Sequence, residues 1–378
     1  MKNYQNRIGI VGGGQLGRML AIASKKLGFY VTVIDPTPQS PAGQVADRQI
    51  IADYKNSKAI TELSKNSDFV TFEIELANDK ALSNIIKKGC IVNPSPATLG
   101  IIRDKLKQKK FLKQNKIPTA EFIQASSEKN ILKAAKKFGY PFLLKARKDA
   151  YDGRGNFIIH NFSDIEEGLK KLKGRELYVE KFVKFKKELA VMIAKDTKGN
   201  VKAYPVAETI HKDNICDTVI APAKISEIVR KKTQRLAIRI IKHLKGAGVF
   251  GIEMFLDMED NVLVNEIAPR VHNSGHYTIE GCMTSQFEQH IRAIANLPLG
   301  NTDLTSKVIV MKNILGEKNG DGIPSGIEKA LGIENVSVHI YGKKESRPQR
   351  KMGHITVIGN SIDECLKKAN QARKALTI

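Results

Sequence analysis

Glu253-Met254-Phe255-Leu256-Asp257, then Met258-Glu259-Asp260-Asn261, then Val262-Leu263-Val264-Asn265-Glu266-Ile267-Ala268-Pro269-Arg270-Val271-His272-Asn273-Ser274-Gly275-His276, is the stretch on which the reading of this chain turns. Two short apolar runs around a polar turn read as a β-hairpin, with Glu253 on one arm and Glu266 on the other. A register whose paired positions sum to an odd number puts both carboxylates on one face, as would a two-residue loop at Glu259-Asp260 or a bulge-free four-residue loop. Two carboxylates that close repel each other unless a cation or a proton lies between them. The residues after Glu266 are arginine, histidine, asparagine, serine and glycine without an apolar period, so they are not core. A solvated hairpin with a polar loop is the plain alternative. So many different polar groups in so few residues argue against it.

A chain of 378 residues exceeds one ordinary core, so two or three domains are expected. No apolar run approaches the roughly 20 residues that span a bilayer, and Met1 to Arg7 has no apolar leader core. Cys90, Cys216, Cys282 and Cys365 are scattered without metal-type spacing, which fits a reducing cytoplasm. The net charge of +23 could serve nucleic acid, a membrane surface or anionic metabolites. The lysines, however, are spread through segments such as Lys105 to Lys113 and Lys129 to Lys137. They read as solvated helix faces, with no zinc-finger spacing or aromatic-rich nucleic-acid signature beside them.

Arg7-Ile8-Gly9-Ile10-Val11 reads as a strand running into Gly12-Gly13-Gly14-Gln15-Leu16-Gly17. An amphipathic helix follows, about Leu16 to Leu27, and then a strand from Tyr30 to Ile34 that ends at Asp35. This is a βαβ unit carrying the dinucleotide fingerprint, G-x-G-x-x-G with an acid closing the second strand. Such a turn presents backbone amides and a helix N-terminus to an anion. Alone it favours a nicotinamide or flavin enzyme. The alternative is that the glycines serve tight packing, with another phosphate bound or none. A strand from Asp68 to Glu73, a helix to about Lys88 and a strand from Cys90 to Val92 complete a parallel sheet ending near Asn93. Glu73 falls at the carboxyl end of a strand, where ligands collect, and Glu75 competes for the same assignment.

A basic helix, about Arg103 to Gln114, leads to a small α+β segment centred on the strand Phe142 to Lys145. The loop Asp149 to Asn156 and a strand from Phe157 to Ile159 follow. A lysine ending an apolar strand, then a loop with Gly153 and Gly155, can clamp phosphates with a point charge and backbone amides. It is not a Walker A loop. Leu177 to Val183 reads as a strand edge, and Glu188 to Ile193 and Val201 to Val206 as antiparallel neighbours. Ser226 to Lys245 reads as one long helix with Ile228, Leu236, Ile240, Ile241 and Leu244 on its buried side. A helix from about Ser285 to Asn296 follows the polar run. The tail has strands near Val308 to Ile314, Val336 to Ile340 and His354 to Val357, and a final helix opened by a capping box at Ser361 and Glu364. Its basic loop, Lys343 to Lys351, is either a solvated surface or an anion site.

With these pieces in order the sequence resembles the ATP-grasp superfamily, and within it the 5-(carboxyamino)imidazole ribonucleotide synthetase family. Gly12 to Leu20, Tyr151 to Gly155, Asn265 to His276 and Arg347 to His354 carry the resemblance, which covers essentially the whole chain. Gln349 stands where a glycine is common in that family. The fold implied is mixed α/β and α+β, an ATP-grasp fold. It has a Rossmann-like pre-ATP-grasp parallel-sheet domain at 1–100, an ATP-grasp domain at 101–300 and a small α+β domain at 301–378. The lid subdomain would span about 117–182 and the catalytic subdomain about 183–300.

The activity implied is an ATP-dependent carbon–nitrogen ligation. Bicarbonate attacks the γ-phosphate to give carboxyphosphate, and the amine of 5-aminoimidazole ribonucleotide captures the carboxyl carbon or released carbon dioxide. By resemblance, Lys105 and Lys145 touch ATP phosphates under a lid formed by Ala150, Tyr151, Asp152, Gly153, Arg154, Gly155 and Asn156. Glu180, Lys181, Phe182 and Val183 read the adenine, and Glu188 takes the ribose, with His211 nearby. Glu253 and Glu266 hold Mg²⁺, with Asn265 or Asn273 as neutral oxygens. Arg270 holds bicarbonate or carboxyphosphate, and His272 orients that anion or moves protons. Tyr151, Arg154, Asn273, Ser274, Glu73, Lys343 and Arg350 surround the ribonucleotide. A homodimer in the cytoplasm is implied, without nucleic acid or membrane. Rival readings are a formate-dependent glycinamide ribonucleotide transformylase, a nicotinamide dehydrogenase, which leaves the acidic hairpin unused, and a nucleic-acid-binding module, which explains only the charge.

Overall fold

Strands rich in valine and isoleucine without polar alternation are buried on both faces, and the N-terminal sheet is built from such strands. The computed structural model describes residues 6–125, 127–149 and 155–378. β1 (Arg7–Val11), β2 (Tyr30–Asp35), β3 (Arg48–Ile51), β4 (Phe69–Phe72) and β5 (Ile91–Val92) are all parallel, in the order β3-β2-β1-β4-β5. Helices α1 (Gln15–Lys26), α2 (Ser57–Lys65) and α3 (Asp79–Lys87) connect them, and α4 (Pro96–Ile102) leads away. The strand order reverses between β1 and β4, so the crevice of this sheet opens beside the turns after Val11 and Phe72.

Next come α5 (Lys105–Gln114), β6 (Phe122–Ala125), α6 (Glu128–Phe138), β7 (Phe142–Ala146), β8 (Asn156–Ile159), α7 (Asp164–Lys171) and β9 (Leu177–Lys181). Their strands form an antiparallel sheet in the order β6-β9-β7-β8, with one face packed on Ile131, Ala134 and Ile165. Residues 182–184 carry the chain into the larger sheet.

That sheet contains β10 (Phe185–Lys195), β11 (Val201–Ala203), β12 (Ala207–Lys212), β13 (Ile215–Ala221), β14 (Gly248–Asp257), β15 (Val262–Ala268) and β16 (Val308–Leu315). Helix α8 (Glu227–His243) precedes β14, and α9 (Thr278–Gly281) and α10 (Gln286–Ile294) precede β16. The rest is β17 (Gly320–Asp321), α11 (Ile327–Leu331), β18 (Val336–Ile340), β19 (Glu345–Ser346), β20 (Lys351–Gly359) and α12 (Ile362–Ala375). The main path runs β15-β14-β10-β12-β13-β16-β20-β18, with β11 on β10, while β17 and β19 pair apart. Pairing of Thr218 with Lys312 and Ala221 with Ile309 carries the ladder past residue 300 into the tail. Buried His290 joins the layers: its Nε2 meets Thr71 Oγ1 of β4 at 2.8 Å, and its Nδ1 accepts the Val249 N–H of β14 at 3.0 Å. Among the described residues no helix is long and apolar enough to cross a membrane.

Several local expectations are corrected. The basic helix begins at Lys105, because Asp104 caps it by accepting from Leu106 and Lys107, while Arg103 closes the preceding helix. The strand at Val201 breaks after Ala203. Ile228 is 80% exposed; the buried stripe of α8 is Val229, Thr233, Leu236, Ala237, Ile240 and Ile241, and Ile228 lies a helical step off it. Ser361 stands at the N-cap of α12, but its hydroxyl makes no capping bond. Gln349, in place of glycine, takes φ +66°, the left-handed conformation that glycine adopts without strain. Leu236→Ala should cost about 2–4 kcal/mol by denaturant unfolding, whereas Ile228→Ser should stay within about 0.5 kcal/mol. Similar losses at both positions would mean the helix packs on a different face.

Candidate active site

Glu253 and Glu266 stand directly opposite each other in the β14–β15 ladder, by a route other than the expected one. Near the turn the pairs are Leu256 with Val262 and Met254 with Val264, which leaves a five-residue connection, Asp257 to Asn261, and an even-sum register. Between Glu253 and Met254 the register shifts by one residue, and Asn265 is the extra residue of a β-bulge. Val262, Val264 and Ile267 are core, while Asn265 and Glu266 are consecutive half-buried positions. The bulge thus removes two successive polar side chains from the core face. β15 is an edge strand, and its outer groups are met by surrogates. Val264 N–H donates to Pro118 C=O (2.8 Å), and the Gln108 amide takes the Ile267 N–H (3.0 Å) and donates to its C=O (3.2 Å).

A lysine answers the carboxylate pair. Lys105, opening α5, sits 2.5 Å from Glu266 Oε2. Burial would raise the Glu266 carboxyl, but Lys105 outweighs it and holds Glu266 below the ordinary range. Glu253 moves the other way, raised by burial and by the charge of Glu266. The start of α5 is fixed by Arg147, which reaches both oxygens of Asp104 at 3.1 and 2.5 Å.

On the smaller sheet Lys145 meets Glu180 at 3.1 Å, and Lys109 meets the other oxygen of Glu180 at 2.8 Å. Lys109 was expected on a solvated helix face; its side chain is 3% exposed, and it also reaches Thr119 Oγ1 at 2.8 Å. Burial alone would raise Glu180, yet the two lysines keep it below its ordinary value. Phe182 and Val183 lie in the connection between the sheets, and Lys181 pairs with Glu121 at its edge. On the larger sheet Glu188 holds His211 at 3.0 Å. Burial would lower that imidazole, but Glu188 outweighs it and His211 is raised.

The run after β15 folds as a loop between the N-terminal sheet and the larger sheet. Arg270 pairs with Glu75 at 2.7 Å, and the charge of Glu73 also bears on it, so the pairing falls to Glu75. His272 Nδ1 lies 2.8 Å from Ser274 Oγ and 3.5 Å from Glu253 Oε1. Burial and then Arg270 depress His272 to about 3. Asn273 exchanges amide hydrogen bonds with Asn313 of β16 at 3.0 and 2.7 Å. A Cβ on Gly251 would stand 2.6 Å from that of His272, so only glycine lets the loop lie this close to β14. Asn313, the role of Lys109 and the backbone-clamping glutamines escaped the sequence reading, since a single polar residue in a strand or helix carries no signal of its own.

The three successive glycine amides of the turn are taken up inside the chain. Gly12 N–H donates to Ile34 C=O at 2.9 Å, Gly13 N–H to Asp35 at 2.9 Å and Gly14 N–H to Glu73 at 2.7 Å. With φ +100°, Gly12 could not carry a Cβ, which would meet the Glu73 side chain at 2.8 Å. Glu73 is buried and pushed up to about 7, mainly by burial. In the basic loop Lys343 Nζ reaches Lys351 C=O at 2.6 Å and Arg350 reaches Glu345 C=O at 2.6 Å, while Lys344 is exposed. Lys351, unassigned from the sequence, places its charge near His211, Cys216 and His272. Asn156 opens β8, and the C=O of Gly155 just before it accepts from Ala146. Ala150, Tyr151, Asp152, Gly153 and Arg154 lie outside the described residues.

Two antiparallel sheets joined by a short connection, lysines on one and paired carboxylates on the other, define an ATP-grasp protein. Family profiles agree: ATP-grasp domain over residues 110–287, ribonucleotide synthetase preATP-grasp domain over 5–103, and phosphoribosylaminoimidazole carboxylase C-terminal domain over 309–368. The chain is 45% identical over 96% of its length to the phosphoribosylaminoimidazole carboxylase of Schizosaccharomyces pombe, of which it spans 66%. It thus spans about two thirds of the length of the carboxylases of that name that it matches. Among solved structures it resembles N5-carboxyaminoimidazole ribonucleotide synthetase from Thermotoga maritima, with 50% identity, 99% of each chain covered and a TM-score of 0.89. It also resembles the Aspergillus clavatus N5-carboxyaminoimidazole synthase solved with ADP and 5-aminoimidazole ribonucleotide, with 38% identity, 98% of each chain covered and a TM-score of 0.91. The chain belongs to the N5-carboxyaminoimidazole ribonucleotide synthetase family.

Glu73 supplies a stability test. Its carboxyl stays protonated in the folded chain up to about 7, whereas it ionises near 4.5 when unfolded. The folded state then binds the extra proton between those values, and stability falls as pH rises through that window. Glu73→Gln should remove this loss and gain on the order of 2–3 kcal/mol relative to the parent between pH 5 and pH 8 in denaturant titrations. Parallel curves for the two proteins would refute the assignment.

Proposed function

We propose that this chain carboxylates 5-aminoimidazole ribonucleotide with bicarbonate at the expense of ATP. The products are 5-(carboxyamino)imidazole ribonucleotide, ADP and phosphate, in purine nucleotide synthesis. The observation that carries the reading is the carboxylate pair Glu253–Glu266, set across from Lys105 and Lys145 and beside the Arg270–Ser274 loop. A bicarbonate oxygen attacks the γ-phosphorus, the bond to the bridging oxygen breaks, and ADP leaves. The amine then bonds to the carboxyl carbon, directly or through released carbon dioxide, as phosphate departs and the nitrogen loses a proton. Phosphoryl transfer of this kind is largely positioning and charge neutralisation.

Lys105 and Lys145 would exchange their carboxylate partners for ATP phosphates. Ala150 to Asn156 would form the lid, Glu180 to Val183 would hold the adenine, and Glu188 the ribose, with His211 beside it. Two carboxylates facing each other, one raised by burial and by the charge of the other, with a neutral amide at Asn265 or Asn273, form an oxygen donor set that fits Mg²⁺. Glu253 and Glu266 would hold the ion, which when bound would neutralise charge on the β- and γ-phosphates. Arg270 would hold the bicarbonate or the carboxyphosphate. His272, depressed to about 3, is a weak base at neutral pH and is assigned to orienting the anion. Glu73, near 7, suits proton transfer from the amine. Asn273, Ser274, Tyr151, Arg154, Lys343 and Arg350 would surround the ribonucleotide, with the basic loop on its phosphate. A cytoplasmic homodimer completes the reading.

ADP release should depend on both the ribonucleotide and bicarbonate; release indifferent to both would refute the assignment, and formate in place of bicarbonate would point to the transformylase. Glu266→Gln should lower turnover about 100-fold or more with the fold intact. Arg350→Ala should raise the KM for the ribonucleotide about tenfold with little change in kcat. An unchanged KM would remove the loop from the phosphate.

A further inference from the structure

The loop from His272 to His276 has no strand partner, yet both backbone groups of His272 are paired by one side chain. Gln286, the first residue of α10, is fully buried. Its Oε1 accepts the His272 N–H at 2.9 Å, and its Nε2 donates to the His272 C=O at 2.7 Å. Backbone partners of opposite sense leave the amide one orientation. Nε2 is therefore the atom that reaches His276 Nδ1 at 3.2 Å, so Nδ1 accepts and the imidazole proton sits on its far nitrogen. Thr278 closes the ring: its hydroxyl donates to Gly275 C=O at 2.6 Å and accepts the Gln286 N–H at 2.9 Å. A Cβ on Gly275 would stand 2.5 Å from Gln286 Oε1, so the chain there is drawn tight over the amide.

Between these anchors lie Asn273 and Ser274, the residues assigned to the ribonucleotide, and the anchored residue His272 stands beside Glu253. We propose that Gln286 is a positioning residue for the carboxylation, holding the His272–His276 loop by both backbone groups of His272 and fixing the tautomer of His276. Its role rests on the carboxylation reading above, since it acts through the loop that meets the substrate. Gln108 does the same for Ile267 on the outer edge of β15, so the segment carrying Glu266 and the segment carrying His272 are each pinned by a buried amide.

The test uses the full chain with ¹⁵N-labelled histidine and two variants. In the parent, His276 should show a protonated Nε2 and a bare Nδ1. Gln286→Met should abolish that preference and lower kcat about 100-fold, the cost of displacing a reacting group by about an ångström. Its affinity for ATP should stay within about twofold. Gln286→Glu keeps an acceptor for His272 N–H but sets a second acceptor against Nδ1, and should move the proton to Nδ1. Identical nitrogen spectra in the three proteins, or turnover of Gln286→Met within about threefold of the parent, would overturn the assignment. Should Gln286→Met fail to fold, the near-isosteric Gln286→Glu decides through the nitrogens alone. Failure of the carboxylation reading would appear in the unsubstituted protein, as ADP release indifferent to the ribonucleotide, and would leave the spectra unaffected.

Discussion

Two carboxylates paired across neighbouring strands are the constraint from which the rest of the cleft follows. Unit charges about 4 Å apart in a protein-like dielectric repel by about 4 kcal/mol, so Glu253 and Glu266 cannot both be ionised there without help. Help comes unequally. Lys105 holds Glu266 as a carboxylate, while burial and then the charge of Glu266 drive Glu253 towards its protonated form. A divalent cation would remove the asymmetry by satisfying both. The pair is fixed from several sides: Arg147 and Asp104 anchor the start of α5, Gln108 and Pro118 close the edge of β15, and the Asn265 bulge sets the face.

The same economy of charge recurs around the cleft. Lys145 rests on Glu180, Arg270 on Glu75 and His211 on Glu188. Lys105, Lys145 and Arg270 each already have an internal carboxylate, so binding of the anions proposed for them would be an exchange of partners. Exchange is cheaper than desolvating a free lysine, because the charge is already held at the site. Glu180 differs from the others in having a second lysine. Were Lys145 to turn to a phosphate, as proposed, buried Lys109 would still neutralise Glu180, which would otherwise be left as an isolated buried charge.

Much of this was legible in the sequence because it rests on pattern. The hairpin, the parallel βαβ order and the acid at Glu73 all follow from spacing and strand ends. The facing of Glu253 and Glu266 was anticipated, but through the wrong turn: the connection has five residues and the bulge restores the parity. A bulge leaves no compositional mark, and Asn265 could as easily have been an ordinary ladder residue. Lys109 was hidden among lysines that are indeed solvated; type and spacing cannot separate it from Lys107 or Lys110, and only the carboxylate of a distant strand does so. Ile228 failed for the opposite reason. An isoleucine was credited to the core for its type, although the stripe through Val229 and Thr233 places it on the solvent side.

The glycine turn shows why a fingerprint is a statement about backbone shape before it is one about a ligand. Gly12 adopts the left-handed conformation and lets the chain pass against Glu73, as a dinucleotide-binding turn passes against a pyrophosphate. The amides point inward in both cases. Here Asp35 and Glu73 stand where an anion would, and the acid at the end of β2, part of the dinucleotide fingerprint, is bound to Gly13. A second anion could not share those amides. The positive end of α1 is spent on holding Glu73 at the crevice between β1 and β4, facing the Arg270 loop of the other sheet. The motif therefore builds one wall of the cleft by fixing a carboxyl group, and under the proposed reading the nucleotide would fall to Lys105 and Lys145.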